Sequence, residues 1–316
     1  MVVTDLHGYW EAYEQYRDRF IDLQAKGQVD YLVFTGDLIH RYNLRTPDRS
    51  LDIVLDVMRL QATFGEAVIY LSGNHELPHI YGISLSKSRR VFTPQFEEAL
   101  TERNCRAEVI SLFESLPFFL RTRAGVTITH AGASPATANS QRLNTLCNWD
   151  HQELLNWSDI ALGKENLDFL RSSYASRHQL PYEALAKGYL SVSGPDDPRY
   201  DNLLRGFVAT TNASFDRVLW PALFTRCEEE YGSGQYGVFL EKTLLGLSDN
   251  FYPQRVLLAG HMDTSGSHQI ISKRHIRLSS GRHAQPLTAG RYLLFDAAKP
   301  VNTVKGLLAG GLGNVF

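Results

Sequence analysis

"YLVFTGDLIHR" (residues 31–41) and "VIYLSGNHELP" (residues 68–78) decide how this chain reads. In each, a run of β-branched, aliphatic and aromatic residues stops at a glycine and at once presents Asp, Asn or His. A run without polar alternation suits a strand covered on both faces, as in a parallel sheet. The segments around them supply the crossovers. Residues 10–26 set Trp10, Tyr13, Tyr16, Phe20 and Leu23 three or four apart, a helical stripe. Residues 48–65 read as a second helix stopped by Gly65. "MVVT" leaves only Val2, Val3 and Thr4 for a short first strand before Asp5. Strands alternating with helices over this part predict βαβ units and a largely parallel sheet.

Farther along, a loop is expected at 77–94, helices at 95–103 and 106–115, and strands at 118–121, 126–129 and 255–260. "HQIIS" (268–272), "HIRLS" (275–279) and "RYLLFD" (291–296) predict strands of a second sheet. Between 140 and 250 the chain reads as helical, broken by the turn-rich "SGPDDPRYDN" (193–202) and ending in the amphipathic run 236–247. The expectation is an α/β fold with a two-sheet mixed β core flanked by helices. It is read as one domain over 1–316, with a helical insertion at 140–250 shaping the substrate pocket.

The totals bound the function classes. A chain of 316 residues, 43% hydrophobic and 21% charged, can bury a sizeable core. Its net charge of −2 gives no electrostatic footprint for nucleic acid. No apolar run of membrane-spanning length occurs, and the N-terminus lacks a basic stretch followed by an apolar one. Cys105, Cys147 and Cys227 are odd in number and lack CxxC spacing, which suits free thiols and a cytoplasmic setting.

The strand endings carry the chemistry. "VVT" runs into Asp5-Leu6-His7-Gly8, "YLVFT" into Gly36-Asp37, "VIYLS" into Gly73-Asn74-His75-Glu76, "VTIT" into His130-Ala131-Gly132, and "VLLA" into Gly260-His261. Any one of these alone reads best as a turn. Five on the carboxyl edge of a sheet, where ligands of α/β folds bind, are hard to assemble as turns. Two Asp, one Asn and three His form a mixed oxygen and nitrogen donor set suited to Mn, Fe or Zn and poor for calcium. The set exceeds one tetrahedral zinc and fits two ions sharing a carboxylate.

"DLHG", "GDLIHR", "GNHE", "THAGASP" and "GH", in this order, resemble the calcineurin-like metallophosphoesterases, whose fold is a helix–sheet–sheet–helix stack. "GNHE" and "HAGASP" resemble in particular the Ser/Thr phosphoprotein phosphatase branch. The resemblance implies a first metal held by Asp5, His7 and Asp37. Asp37 would bridge to a second, held also by Asn74, His130 and His261. It implies hydrolysis of phosphate monoesters by a metal-bridging hydroxide, with His75 protonating the leaving oxygen and Arg41 holding the phosphate. "LFTRCEEEYGSG" (223–234) resembles a stretch that supplies a second phosphate arginine, which nominates Arg226. A phosphorylated protein or nucleotide is the implied substrate, with neither nucleic acid nor membrane as partner; the oligomeric state stays open.

Three positions depart from the pattern. Thr4 replaces a glycine, and Asp263 in "GHMDT" stands where many relatives carry a second His, so it is left out of the metal set. His40 replaces the Asp that ordinarily orients the general-acid His; it is expected either to accept a hydrogen bond from His75 or to cede the task to another acid. This last departure keeps a second function in view, symmetrical diadenosine tetraphosphate hydrolysis, and a third, non-catalytic binding of a phospho-ligand. His79, His151, His178, His268, His275 and His283 are read as surface or core residues, and Arg89 and Arg90 as a solvated loop pair.

Overall fold

In the computed structural model, residues 1–42, 47–87 and 90–316 are described, so Arg89 lies outside the described residues. Their contacts divide the chain into two units: Met1–Asn74 with Leu116–Asn148 and Val218–Phe316, and His75–Ser115 with Trp149–Arg217.

The strands follow in chain order. They are β1 (Val2–Val3), β2 (Leu32–Phe34), β3 (Val68–Tyr70), β4 (Ser86–Lys87), β5 (Arg90–Val91), β6 (Phe119–Arg121) and β7 (Val126–Thr129). Then come β8 (Val256–Ala259), β9 (Thr264–Ser265), β10 (His268–Ser272), β11 (His275–Leu278), β12 (Ala284–Gln285), β13 (Tyr292–Leu293) and β14 (Leu312–Gly313).

In the first unit, one sheet runs β14-β13-β1-β2-β3 and a second runs β10-β11-β8-β7-β6. β1, β2 and β3 run parallel, as do β7 and β8: Val2 pairs with Val33, Leu32 with Val68, and Val126 with Val256. β13 is antiparallel to β1, and the edge pairs β10–β11 and β6–β7 are antiparallel, so both sheets are mixed. Successive side chains of a strand face opposite ways, and the core uses that alternation. Val126 and Ile128 of β7, Val256 and Leu258 of β8, and Ile276 and Leu278 of β11 share one apolar cluster with Val2, Val33 and Leu293 of the first sheet. On the opposite faces, Phe34 meets Tyr13 of the helix Trp10–Ala25 at a ring distance of 6.0 Å. Leu257 packs with Tyr236, Leu240 and Leu244 of the helix Gly232–Gly246. The unit is therefore a helix–sheet–sheet–helix stack, as expected.

Two sequence expectations change. "RYLLFD" does not join the second sheet: β13 pairs antiparallel with β1, Leu293 opposite Val2. An all-apolar run announces burial on both faces, but it does not name the neighbouring strand. The loop expected at 77–94 contains the helix Leu77–Tyr81, with Pro78 in its first turn, and the antiparallel pair β4 and β5. Both are too short to show a period.

The second unit is otherwise helical, with Thr93–Glu102, Arg106–Ser115, His151–Leu162, Leu167–His178, Tyr182–Leu190 and Asn202–Thr211. Asp150 and Asn166 cap two of these helices, their side chains accepting from the Gln152 and Phe169 amides. Its core gathers Leu162, Tyr182, Leu185, Leu190, Tyr200 and Leu203. Buried Glu97 takes hydrogen bonds from His79 (2.7 Å) and Arg106 (2.8 Å). Burial alone would raise the Glu97 carboxyl; His79 and Arg106 outweigh it and hold it below its usual range. The stretch 140–250 carries helices and is divided: 149–217 lies in the second unit and its flanks in the first. Among the described residues, no helix is long and apolar enough to cross a membrane.

Candidate metal centre

The parallel registers bring the carboxyl ends of β1, β2 and β3 to one edge, and those of β7 and β8 alongside each other. Asp5, His7, Asp37, Asn74, His130 and His261 all follow these ends. Asp5, His7, Asp37, Asn74 and His130 are fully buried, and His261 keeps part of its surface open. Asp37 sits between two histidines, its Oδ2 3.6 Å from His7 Nε2 and 3.5 Å from His130 Nε2. His130 Nε2 lies 2.9 Å from Asn74 Oδ1 and 3.0 Å from His261 Nδ1. Asp5 Oδ1 accepts from the His261 amide at 2.9 Å. The structure thus brings together all six metal ligands expected from the sequence.

The backbone is strained where these residues sit. Asp5 (φ 40°), His7 (46°), Asp37 (52°), His40 (71°) and His261 (71°) all occupy the left-handed region, which side-chain-bearing residues avoid. Among described residues the other non-glycine cases are Asn104, Gln179, Ser191 and Asn250, all in turns or caps after helices. The rim strain is of another kind. Close packing shares in it: a β-carbon on Gly36 would lie 2.6 Å from Gly73 Cα, and one on Gly260 would strike the Asp5 carboxylate.

The donor chemistry fits cations. His130 Nδ1–H points at the Thr35 carbonyl and His7 Nδ1–H at the Ile39 carbonyl, each at 3.0 Å, which leaves both Nε2 atoms as lone-pair donors. Burial, joined by the Arg277 charge, pushes the His130 imidazolium down to about 3. Burial, then His130 and Arg277, holds His261 well below its ordinary value. Both rings are therefore neutral at pH 7. Neutral His130 Nε2 facing Asn74 Oδ1 sets one lone pair against another, an arrangement that a shared Lewis acid makes favourable. Among the described residues of the first unit, two triads stand out, Asp5–His7–His283 and Asp37–His130–His261, with donor atoms within 4.8 Å of one another in each.

The remaining nominees are placed as follows. His75 belongs to the second unit, where its buried ring lies 5.4 Å from that of Phe92. Arg41 is buried in the first, donating to the Gly8 and Pro47 carbonyls at 3.1 and 3.3 Å, 4.1 Å above the Tyr9 ring. Arg226 is exposed and paired with Glu229. The buried His40 amide donates to Ser50 Oγ at 2.8 Å. Asp263 is exposed, 3.6 Å from Arg282.

Two residues escaped the sequence reading. His283, taken there as surface or core, lies with its Nδ1 3.6 Å from Asp5 Oδ1. Arg277, buried in β11, donates to the Gly260 carbonyl at 2.7 Å and to Glu228, and so fixes the residue before His261. Neither stands at a motif spacing; only the fold could reveal them.

A family profile for calcineurin-like phosphoesterases matches residues 1–208, which contain Asp5, His7, Asp37, Asn74 and His130. The chain belongs to that family. As a calcineurin-like phosphoesterase it is a metal-dependent hydrolase of phosphoric esters. No curated protein matches it. Among solved structures it resembles a point mutant of a cold-active protein tyrosine phosphatase, at 15% identity and a TM-score of 0.51, covering 100% of this chain and 79% of that one. A cold-active protein-tyrosine phosphatase of a psychrophilic Shewanella species matches at 16% identity, with 100% and 79% covered and a TM-score of 0.42. A protein serine/threonine phosphatase from Saccharomyces cerevisiae, with similarity to human phosphatase PP5, matches at 13%, with 95% and 76% covered and a TM-score of 0.44. The first of these likenesses bears on the fold alone.

Proposed function

We propose that this phosphoesterase is a phosphomonoesterase of the Ser/Thr protein phosphatase type, working with two Mn, Fe or Zn ions. The observation that carries the reading is Asp37 Oδ2 standing 3.6 and 3.5 Å from one histidine of each triad. Asp5, His7 and Asp37 would hold one ion, and Asp37, Asn74, His130 and His261 the other. Such ions supply charge neutralisation for the phosphoryl oxygens and a nucleophile at neutral pH.

The residues have the following tasks. His7 and His130, with Nδ1–H bound to backbone carbonyls, present Nε2 in fixed orientations. Asn74 contributes a neutral oxygen donor beside His130. His75, the next residue in the chain, protonates the leaving alkoxide, which would otherwise depart slowly. Arg41 and Arg226 bind phosphate oxygens through planar, permanently charged forks.

A second reading, hydrolysis of symmetrical dinucleoside tetraphosphates, is favoured by His40 standing where the phosphatase branch carries Asp. The two separate on metal-reconstituted protein offered phosphoserine, phosphothreonine and phosphotyrosine peptides beside diadenosine tetraphosphate. Release of inorganic phosphate from the peptides with no dinucleotide cleavage is expected; the reverse preference would replace the first reading with the second.

A further inference from the structure

We infer that His283 is a ligand of the first cation, standing with Asp5 and His7, and that Asp263 orients it from outside. This rests on the two-metal reading above. His283 is buried, its Nδ1 is 3.6 Å from Asp5 Oδ1, and its ring is 5.0 Å from that of His7.

The chain delivers His283 to this place by several independent bonds. Thr4, immediately before Asp5, exchanges hydrogen bonds with Ser280: its amide donates to Ser280 Oγ at 3.0 Å, and its hydroxyl accepts from the Ser280 amide at 3.1 Å. The Arg282 amide donates to the Asp5 carbonyl at 3.1 Å, and a β-carbon on Gly281 would come within 2.8 Å of that same oxygen. The loop carrying His283 is thus fastened to the segment carrying Asp5 and His7. Thr4, a departure at sequence level, gains a purpose: its hydroxyl supplies half of that fastening, which a glycine could not.

The register of β9 against β12 accounts for Asp263. The strands are parallel, with Thr264 opposite Ala284, so Asp263 and His283 stand one residue before the ladder and side by side. The Thr264 amide closes the pair by donating to the His283 carbonyl at 2.8 Å. His283 then turns Nδ1 toward Asp5 and Nε2 toward Asp263 Oδ1, at 3.6 and 4.0 Å. An imidazole with one nitrogen facing a ligand cluster and the other an outer carboxylate is the arrangement by which proteins orient metal-binding histidines.

The test is Mn²⁺ titration by calorimetry on chelator-stripped full-length protein, with His283→Ala, the bulkier His283→Gln and Asp263→Asn. Circular dichroism on each variant reports folding. The wild type is expected to take up two equivalents. Both His283 variants should lose affinity for one of them by more than about 100-fold, and Asp263→Asn should lose about 10-fold at that same equivalent. Folded His283 variants that bind two equivalents as tightly as wild type would overturn the inference and leave the two-metal reading standing. A wild-type chain that takes up no Mn²⁺ would overturn both.

Discussion

Both units of this molecule bury histidines, and they do so to opposite ends. In the helical unit, His79 Nδ1 is closed off by Glu97 at 2.7 Å and His151 Nδ1 by the Tyr81 hydroxyl at 2.8 Å, a complementary group in each case. At the strand-end rim, His130 Nε2 instead faces Asn74 Oδ1 and Asp37 Oδ2, oxygens that offer electrons rather than protons, beside His261 Nδ1. Burial is the same in both places; complementarity differs. A buried histidine with a matched neighbour secures the fold, whereas one facing other donors waits for a third party.

That contrast can be broken most forcefully at Asp37. Asp37→Asn removes the charge standing between His7 of one triad and His130 of the other, and kcat/KM on an aryl phosphate should fall by more than about 100-fold while circular dichroism is unchanged. Retention of wild-type turnover would dissolve the contrast, because the rim would then be mere packing.

In the helical unit the expected loss is of stability. Glu97→Leu leaves His79 and Arg106 without their carboxylate, and breaking a buried pair costs roughly 3–5 kcal/mol. Urea denaturation checks this, with Mn²⁺ uptake by the folded protein expected at wild-type stoichiometry. A midpoint unchanged from wild type would show that the cluster contributes nothing.

The third measurement is of pH. Burial depresses His151 to about 4 from its ordinary 6.5. Above pH 6.5 the ring is neutral in both folded and unfolded chains, so the contribution is fully present there. As pH falls toward 4 the unfolded chain takes up the proton first, and stability declines by on the order of 3 kcal/mol before levelling off. Denaturant midpoints from pH 7.5 to 4, compared with His151→Phe, isolate it; equal slopes would mean that His151 is not the group responsible.

The smallest effect is expected at Arg226, whose pair with Glu229 is exposed on both sides. Arg226→Ala should change stability by less than about 1 kcal/mol. Its KM for a phosphopeptide is the informative number: a rise places the guanidinium on substrate phosphate, and an unchanged value removes it from the site.

Much of the fold could be read from the sequence because its parallel strands announce themselves. Residues 32–34, 68–70, 126–129 and 256–259 are apolar almost throughout and end in Gly, His or Asp within a few positions. Six donors of the rim were legible for the same reason, each lying just past a strand. What stayed hidden was whatever depends on pairing. The two-residue β13 shows no pattern that would assign it to the first sheet, and β9 and β12 are equally short. His283 reaches the rim through that last pairing and through the bonds of its loop to Thr4 and Asp5, so residue spacing could not separate it from His178 or His268. The division within 140–250 was invisible too, because a helix periodicity records a buried face without recording which core buries it.

The left-handed backbone at Asp5, His7, Asp37, His40 and His261 has a consequence for anyone selecting hardier versions of this protein. Glycine is at ease in that conformation, so a screen that rewards thermal survival alone should drift toward it at these five places. On the proposed function, the resulting protein would endure heat and lose turnover. Survival and turnover should therefore be scored together, and positions where the two pull apart would test the candidate rim without a structure.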